Sequence, residues 1–174
     1  MNITLIGMPG AGKSLIGREL AKKLNYRFID VDEIIEEKNG LKLQEIIDRF
    51  GDGRFKEIEE KTILELTNSK PRRLSNSVIS PGGSVVYSEE AMRFLKKVSI
   101  VVFLNPSLKN IKTYNSDFSA RGVVGLKKKS LEQLHNERLP LYRRYADVTM
   151  VLPENFDVER VVGDIVDKIF QRSD

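Results

Sequence analysis

Near its start the chain runs Gly7-Met8-Pro9-Gly10-Ala11-Gly12-Lys13-Ser14, which satisfies the spacing Gly-x-x-x-x-Gly-Lys-Ser in full. These residue types at this spacing suit the binding of phosphate. Glycines allow backbone N–H groups to turn inward around phosphate oxygens, and a helix starting just after the loop adds the positive end of its dipole. In such a loop the lysine reaches the β- and γ-phosphates of a nucleoside triphosphate, and the serine hydroxyl ligates Mg²⁺. Gly7, Pro9, Gly10, Ala11, Gly12, Lys13 and Ser14 are therefore the expected nucleotide-binding residues, with ATP and Mg²⁺ as the implied substrate and metal.

The loop alone does not choose a reaction. A guanine-reading Asn-Lys-x-Asp segment is missing where it would follow a late strand; the chain has Asn105-Pro106-Ser107-Leu108 there. Motor and AAA-type ATPases are longer and carry an apolar strand ending in an Asp-Glu pair. A second chemical signal is Asp30-Val31-Asp32. Two carboxylates two residues apart near a triphosphate suit complementary tasks: one serves the metal, the other holds and deprotonates an attacking hydroxyl. The same residues would equally cap the next helix, where the helix dipole favours acids.

Short apolar runs alternate with longer amphipathic ones, the pattern of βα units around a parallel sheet. Strands are predicted at 2–7, from 27, at 77–80, at 100–104 and at 148–151. Helical spacing of apolar residues follows the loop as far as Leu24, with Asn25 as the stop. From about Asp32 to Leu66 the pattern is helical but interrupted at Gly40 and Gly51-Asp52-Gly53, which implies two or three helices. Further helices are expected from 88 to 97, from a capping box at Ser130–Gln133 to about Tyr145, and after a cap at Asp157. Residues 67–76 read as an exposed loop, and 115–129 as a mobile segment without periodicity.

The 174 residues fit one domain, and an apolar content of 40% suffices for a core. A net charge of +4, from 29 basic and 25 acidic residues, suits a protein that handles phosphates but is no nucleic-acid signature. The lack of aromatic–basic interleaving argues against RNA binding. With no cysteine, disulfides, zinc–thiolate sites and thiol chemistry are excluded. No apolar run approaches a membrane span and no signal-peptide pattern opens the chain, so a cytoplasmic protein without a membrane or nucleic-acid partner is expected.

The ordered pieces together resemble the shikimate kinases, nearly end to end. Besides the loop and Asp30-x-Asp32, Gly51-Asp52-x-x-Phe55-Lys56-x-x-Glu59 is similar to that family's Gly-Glu-x-x-Phe-Arg-x-x-Glu. Pro81-Gly82-Gly83 stands where the family has three glycines, and Arg138-x-Pro140-x-Tyr142 matches its Arg-x-Pro-x-Tyr element. The resemblance implies a three-layer α/β kinase fold, with a five-stranded parallel sheet flanked by helices. It also implies an acceptor-binding segment at about 31–62 and a lid at about 113–129, in a monomer. By the same resemblance Ser14 and Asp30 serve the metal, and Lys13, Asp32 and Arg121 are catalytic, Arg121 reaching the nucleotide from the lid. Asp32, Lys56, Glu59, Gly82, Gly83 and Arg138 would bind the acceptor, with Glu59 orienting Lys56.

The chain departs from the family pattern on the acceptor side. Lys56 replaces an arginine, exchanging a planar fork for a point charge. Pro81 replaces a glycine and removes an N–H donor. The lid has Arg121-Gly122-Val123-Val124 in place of Arg-Pro-Leu-Leu. Shikimate is the expected acceptor. Homoserine or another small hydroxy acid is the alternative, as is a nucleotide-binding module without catalysis. His135, Lys127-Lys128-Lys129 and the tyrosines of the 131–145 helix are read as surface or packing residues.

Overall fold

The computed structural model describes residues 1–67, 74–114, 118 and 122–171. Five strands form one parallel sheet: β1 (Asn2–Ile6), β2 (Arg27–Asp30), β3 (Ser77–Ser80), β4 (Ile100–Pro106) and β5 (Val148–Leu152), in the order β2-β3-β1-β4-β5. The helices are α1 (Lys13–Leu24), α2 (Val31–Asn39), α3 (Leu43–Leu64), α4 (Glu89–Val98), α5 (Leu108–Tyr114), α6 (Leu131–Tyr145) and α7 (Val158–Phe170).

Alternation along the strands sends successive side chains to opposite faces, so the sheet divides the core in two. Ile3, Leu5, Val78, Val102 and Leu104 pack with α1 and α7. Ile6, Ile79, Val101 and Phe103 pack with α2, α3, α4 and α6. The result is the expected three-layer α/β arrangement. The order reverses where β1 lies between β3 and β4, and the loop after β1 opens at that switch point, where open parallel sheets bind ligands.

Most local signals match the observed elements. Asn25 ends α1 in the left-handed conformation and Gly40 does the same for α2. Gly51 leaves helical geometry inside α3, so the 31–64 region is three helical pieces. The Ser130 hydroxyl accepts from the Gln133 N–H while the Gln133 side chain accepts from the Ser130 N–H. Asp157 accepts from the Arg160 N–H at the start of α7. Helix α5 was not foreseen: at seven residues it is too short to establish an apolar period. It overlaps the start of the expected lid at residues 113 and 114. Of the expected loop at 67–76, residues 68–73 lie outside the described set, as do 115–117 and 119–121 of the expected mobile segment. No described helix is long and apolar enough to cross a membrane.

Candidate active site

The loop after β1 and the first turn of α1 form one end of a cavity of about 510 Å³, lined there by Pro9, Gly10, Ala11, Gly12, Lys13 and Ser14. Gly12, in the left-handed region, is the N-cap of α1, and no side chain caps this helix. α1 has no acid in its first turn, whereas α2, α3, α4, α6 and α7 all do. Its terminal N–H groups and positive dipole end therefore remain available to an anion. The Lys13 ammonium lies back across the loop and donates to the carbonyls of Gly7 (3.0 Å) and Met8 (3.1 Å). Burial lowers its pKa, while the carboxylates of Asp32, Asp30 and Glu59 oppose that shift.

Asp30 ends β2 and does two jobs. Its Oδ1 accepts from the Asp32 N–H and caps α2, and its Oδ2 accepts from the Ser14 hydroxyl at 2.9 Å. The capping and the metal readings of this residue are thus compatible. Ser14 Oγ and Asp30 Oδ2 make a small pair of hard oxygen donors beside the phosphate loop. No group of three or more acidic or histidine side chains clusters to hold a metal among the described residues. That donor set fits Mg²⁺, which binds through few protein ligands and completes its shell with phosphate oxygens and water.

Asp32, in the first turn of α2, begins the opposite end, with Phe55, Gly82, Gly83, Ser84 and Arg138 on the wall. Two close approaches shape this end. A Cβ at Gly82 would stand 2.5 Å from Glu59 Oε1 and 3.0 Å from Asp32 Oδ1. One at Gly83 would stand 2.6 Å from Pro9 Cδ, so the acceptor floor rests directly on the phosphate loop. The Gly83 carbonyl accepts from the buried Tyr142 hydroxyl at 2.6 Å.

Three buried polar atoms here make no hydrogen bond: Asp32 Oδ1, Glu59 Oε1 and Arg138 Nη1. Burial, then the Glu59 charge, raises the Asp32 carboxyl to about 7, with Lys13 pulling the other way. Burial also raises Glu59, against its hydrogen bond from Ser84 and the charges of Arg138 and Lys13. Unpartnered buried groups of this kind are costly in a stable fold and mark a place built for a polar ligand. Here the demand is specific: hydroxyl or other donors for the carboxylates, and an acceptor for the guanidinium.

Lys56 is half-buried against Tyr87, the ring that Arg138 also faces. Its ammonium lies 5.5 Å from the centre of the Tyr87 ring and it does not line the cavity. Glu59 is not its partner: Glu59 Oε2 accepts from Ser84 at 2.6 Å. Phe55, the preceding residue on α3, is buried and lines the cavity. Arg121 lies outside the described residues; Gly122, Val123 and Val124 beside it line the cavity. Sequence reasoning missed Ser84, Tyr87 and Phe156. Ser84, on the cavity wall, bonds Glu59, and Tyr87 bonds Arg138 and Glu137, all partners far along the chain. Phe156, on the nucleotide side with Pro106 and Val158, sits in a connection with no motif of its own.

The sequence profile of the shikimate kinase family matches residues 9–170. A shikimate kinase from Haemophilus influenzae is 37% identical over 171 residues, covering 97% of this chain and 92% of that protein. One from Thermodesulfovibrio yellowstonii is 37% identical over 145 residues, covering 82% of this chain and 81% of its own length. The solved shikimate kinase from Acinetobacter baumannii in complex with shikimate superimposes with a TM-score of 0.87 at 29% identity. That alignment covers 98% of this chain and 93% of the other.

Proposed function

This chain belongs to the shikimate kinase family, and we propose that its residues transfer the γ-phosphoryl group of ATP to a hydroxyl of shikimate, giving shikimate 3-phosphate, in aromatic amino-acid biosynthesis. One observation carries the acceptor assignment. Asp32 Oδ1 and Arg138 Nη1, opposite in charge and both on the cavity wall, are buried without partners. A ring bearing hydroxyls at one edge and a carboxylate at the other satisfies both.

In this reading the backbone of 7–14 and the N-terminus of α1 hold the triphosphate, and Lys13 exchanges its two carbonyl contacts for phosphate oxygens. Phe156, Pro106 and Val158 give the nucleotide base an apolar wall. Ser14 and Asp30 hold Mg²⁺, which neutralises charge on the phosphates when bound. Asp32 accepts a hydrogen bond from the attacking hydroxyl and takes its proton as the oxygen attacks phosphorus. With a pKa of about 7 it is matched to that task at neutral pH. Glu59 keeps the negative field that raises Asp32, and Gly82 and Gly83 leave room for the ring and offer backbone donors. Arg138 binds the acceptor carboxylate, and Arg121 brings positive charge to the transferring group. Lys56 adds long-range positive charge without touching the acceptor. A cysteine-free chain acting on ATP and a small metabolite also suits the cytoplasm.

The test is ADP release with shikimate, homoserine, gluconate or no acceptor, using wild type and Lys13→Ala, with the product identified by ³¹P NMR. Shikimate alone is expected to stimulate wild type. Stimulation by homoserine and not by shikimate would sink the assignment.

A further inference from the structure

Arg138 is fully buried, yet only part of its guanidinium faces the cavity. Nη2 donates to the Val124 carbonyl at 2.7 Å, and Nε donates to the Tyr87 hydroxyl at 3.1 Å. Nη1 is left without a partner. The Tyr87 hydroxyl is fixed in turn, because it donates its one proton to Glu137 Oε1 at 2.7 Å. Its lone pairs therefore point at Arg138. Glu137 Oε2 is paired with Lys129, and the guanidinium carbon lies 5.1 Å from the centre of the Tyr87 ring. The same ring carries Lys56 on it.

A guanidinium on a long side chain has many rotamers, and a fork aimed at a carboxylate works only when its plane is fixed. Val124 fixes one nitrogen and the Tyr142 hydroxyl lies beside the guanidinium, while Nε is held by Tyr87. We propose that Tyr87 is a positioning residue for Arg138: its hydroxyl, oriented by Glu137, fixes the guanidinium plane so that Nη1 meets the acceptor carboxylate. The inference rests on the reading of Arg138 as the carboxylate-binding group. It adds that a residue of the short turn Val85–Tyr87, which does not itself line the cavity, sets acceptor affinity.

Tyr87→Phe tests this, since it keeps the ring and removes the hydroxyl. A hydrogen bond to a charged group is worth roughly tenfold to a hundredfold in affinity. The KM for shikimate should accordingly rise about tenfold or more, with kcat and the KM for ATP within about twofold. For the carboxamide analogue of shikimate the same substitution should change KM by less than about threefold, because no carboxylate is present to misalign. An equal penalty on both acceptors, or an equal rise in the KM for ATP, would overturn the proposal. A second readout needs no acceptor. The Arg138 Nε–H signal in ¹⁵N NMR, identified by its loss in Arg138→Lys, should shift and exchange faster with water in Tyr87→Phe. An unchanged signal would overturn the positioning role even if shikimate proves not to be the substrate. If wild type is inactive on shikimate but the signal moves, the acceptor assignment falls and the positioning stands.

Discussion

At the phosphate-loop end of the cavity, consecutive residues from Pro9 to Leu15 and one helix terminus form most of the lining. At the acceptor end, Asp32, Gly82 and Arg138 come from α2, the loop after β3 and α6, backed by Glu59 from α3. The first end is made largely of backbone dipoles, which fold into place with the loop itself. The second is made of ionisable side chains buried beside one another, which only the assembled tertiary structure holds together. Phosphate recognition is therefore local and, apart from Lys13, neutral in its components. Acceptor recognition is non-local and carries charges at a cost in stability.

That contrast is open to attack at several points. Lys13→Ala should lower kcat/KM roughly a thousandfold or more, through lost stabilisation of the transferring phosphoryl group. A loss under about tenfold would mean the backbone cradle alone does the work. Asp32→Asn should lower kcat roughly a hundredfold and remove the acid limb of the pH profile. In wild type that limb should show kcat/KM falling below about pH 7, where Asp32 takes up a proton.

The same substitution should have the opposite effect on stability. The folded-state pKa of Asp32 is raised from 3.8 to about 7, so the folded protein holds a proton that the unfolded chain releases. This favourable contribution is complete below pH 3.8 and is lost as pH rises through about 7. At pH 8 Asp32→Asn should therefore raise Tm by about 4–8 °C, equivalent to roughly 2 kcal/mol in a chain of this size. The gain should vanish near pH 4. A lower Tm at pH 8 would contradict the view that the acceptor end is under strain.

Arg138→Lys should raise the KM for shikimate roughly tenfold to thirtyfold and leave the KM for ATP unchanged, which separates the two ends in one measurement. The smallest effect is expected at Lys56: alanine there should change the KM for shikimate less than about threefold. A tenfold change would bring Lys56 onto the acceptor and make the pocket a two-cation clamp.

Legibility in the sequence follows the same division. The loop, the caps at Asn25, Ser130 and Asp157, and the five strands depend on neighbours a few residues away, so spacing alone revealed them. Asp30 and Asp32 were visible as a pair, but their division of labour depends on Ser14 and Glu59 across the fold. Arg138 was reachable only through resemblance, because nothing local distinguishes it from the exposed Arg143 and Arg144. Lys56 was reachable only by analogy, and its ammonium rests against the Tyr87 ring. Ser84 and Tyr87 carried no signal, since a hydroxyl acquires its meaning from what it faces.

The contact of Gly83 with Pro9 bears on how such an enzyme diversifies. A side chain at position 83 would press on the ATP loop, and a side chain at 82 on Glu59 and Asp32. Mutations that retune the acceptor are thereby channelled away from the floor and towards the walls, where they leave nucleotide use intact. In directed evolution, productive variants should accumulate at wall positions such as 55 and 123, while libraries at 82 and 83 should return mostly glycine.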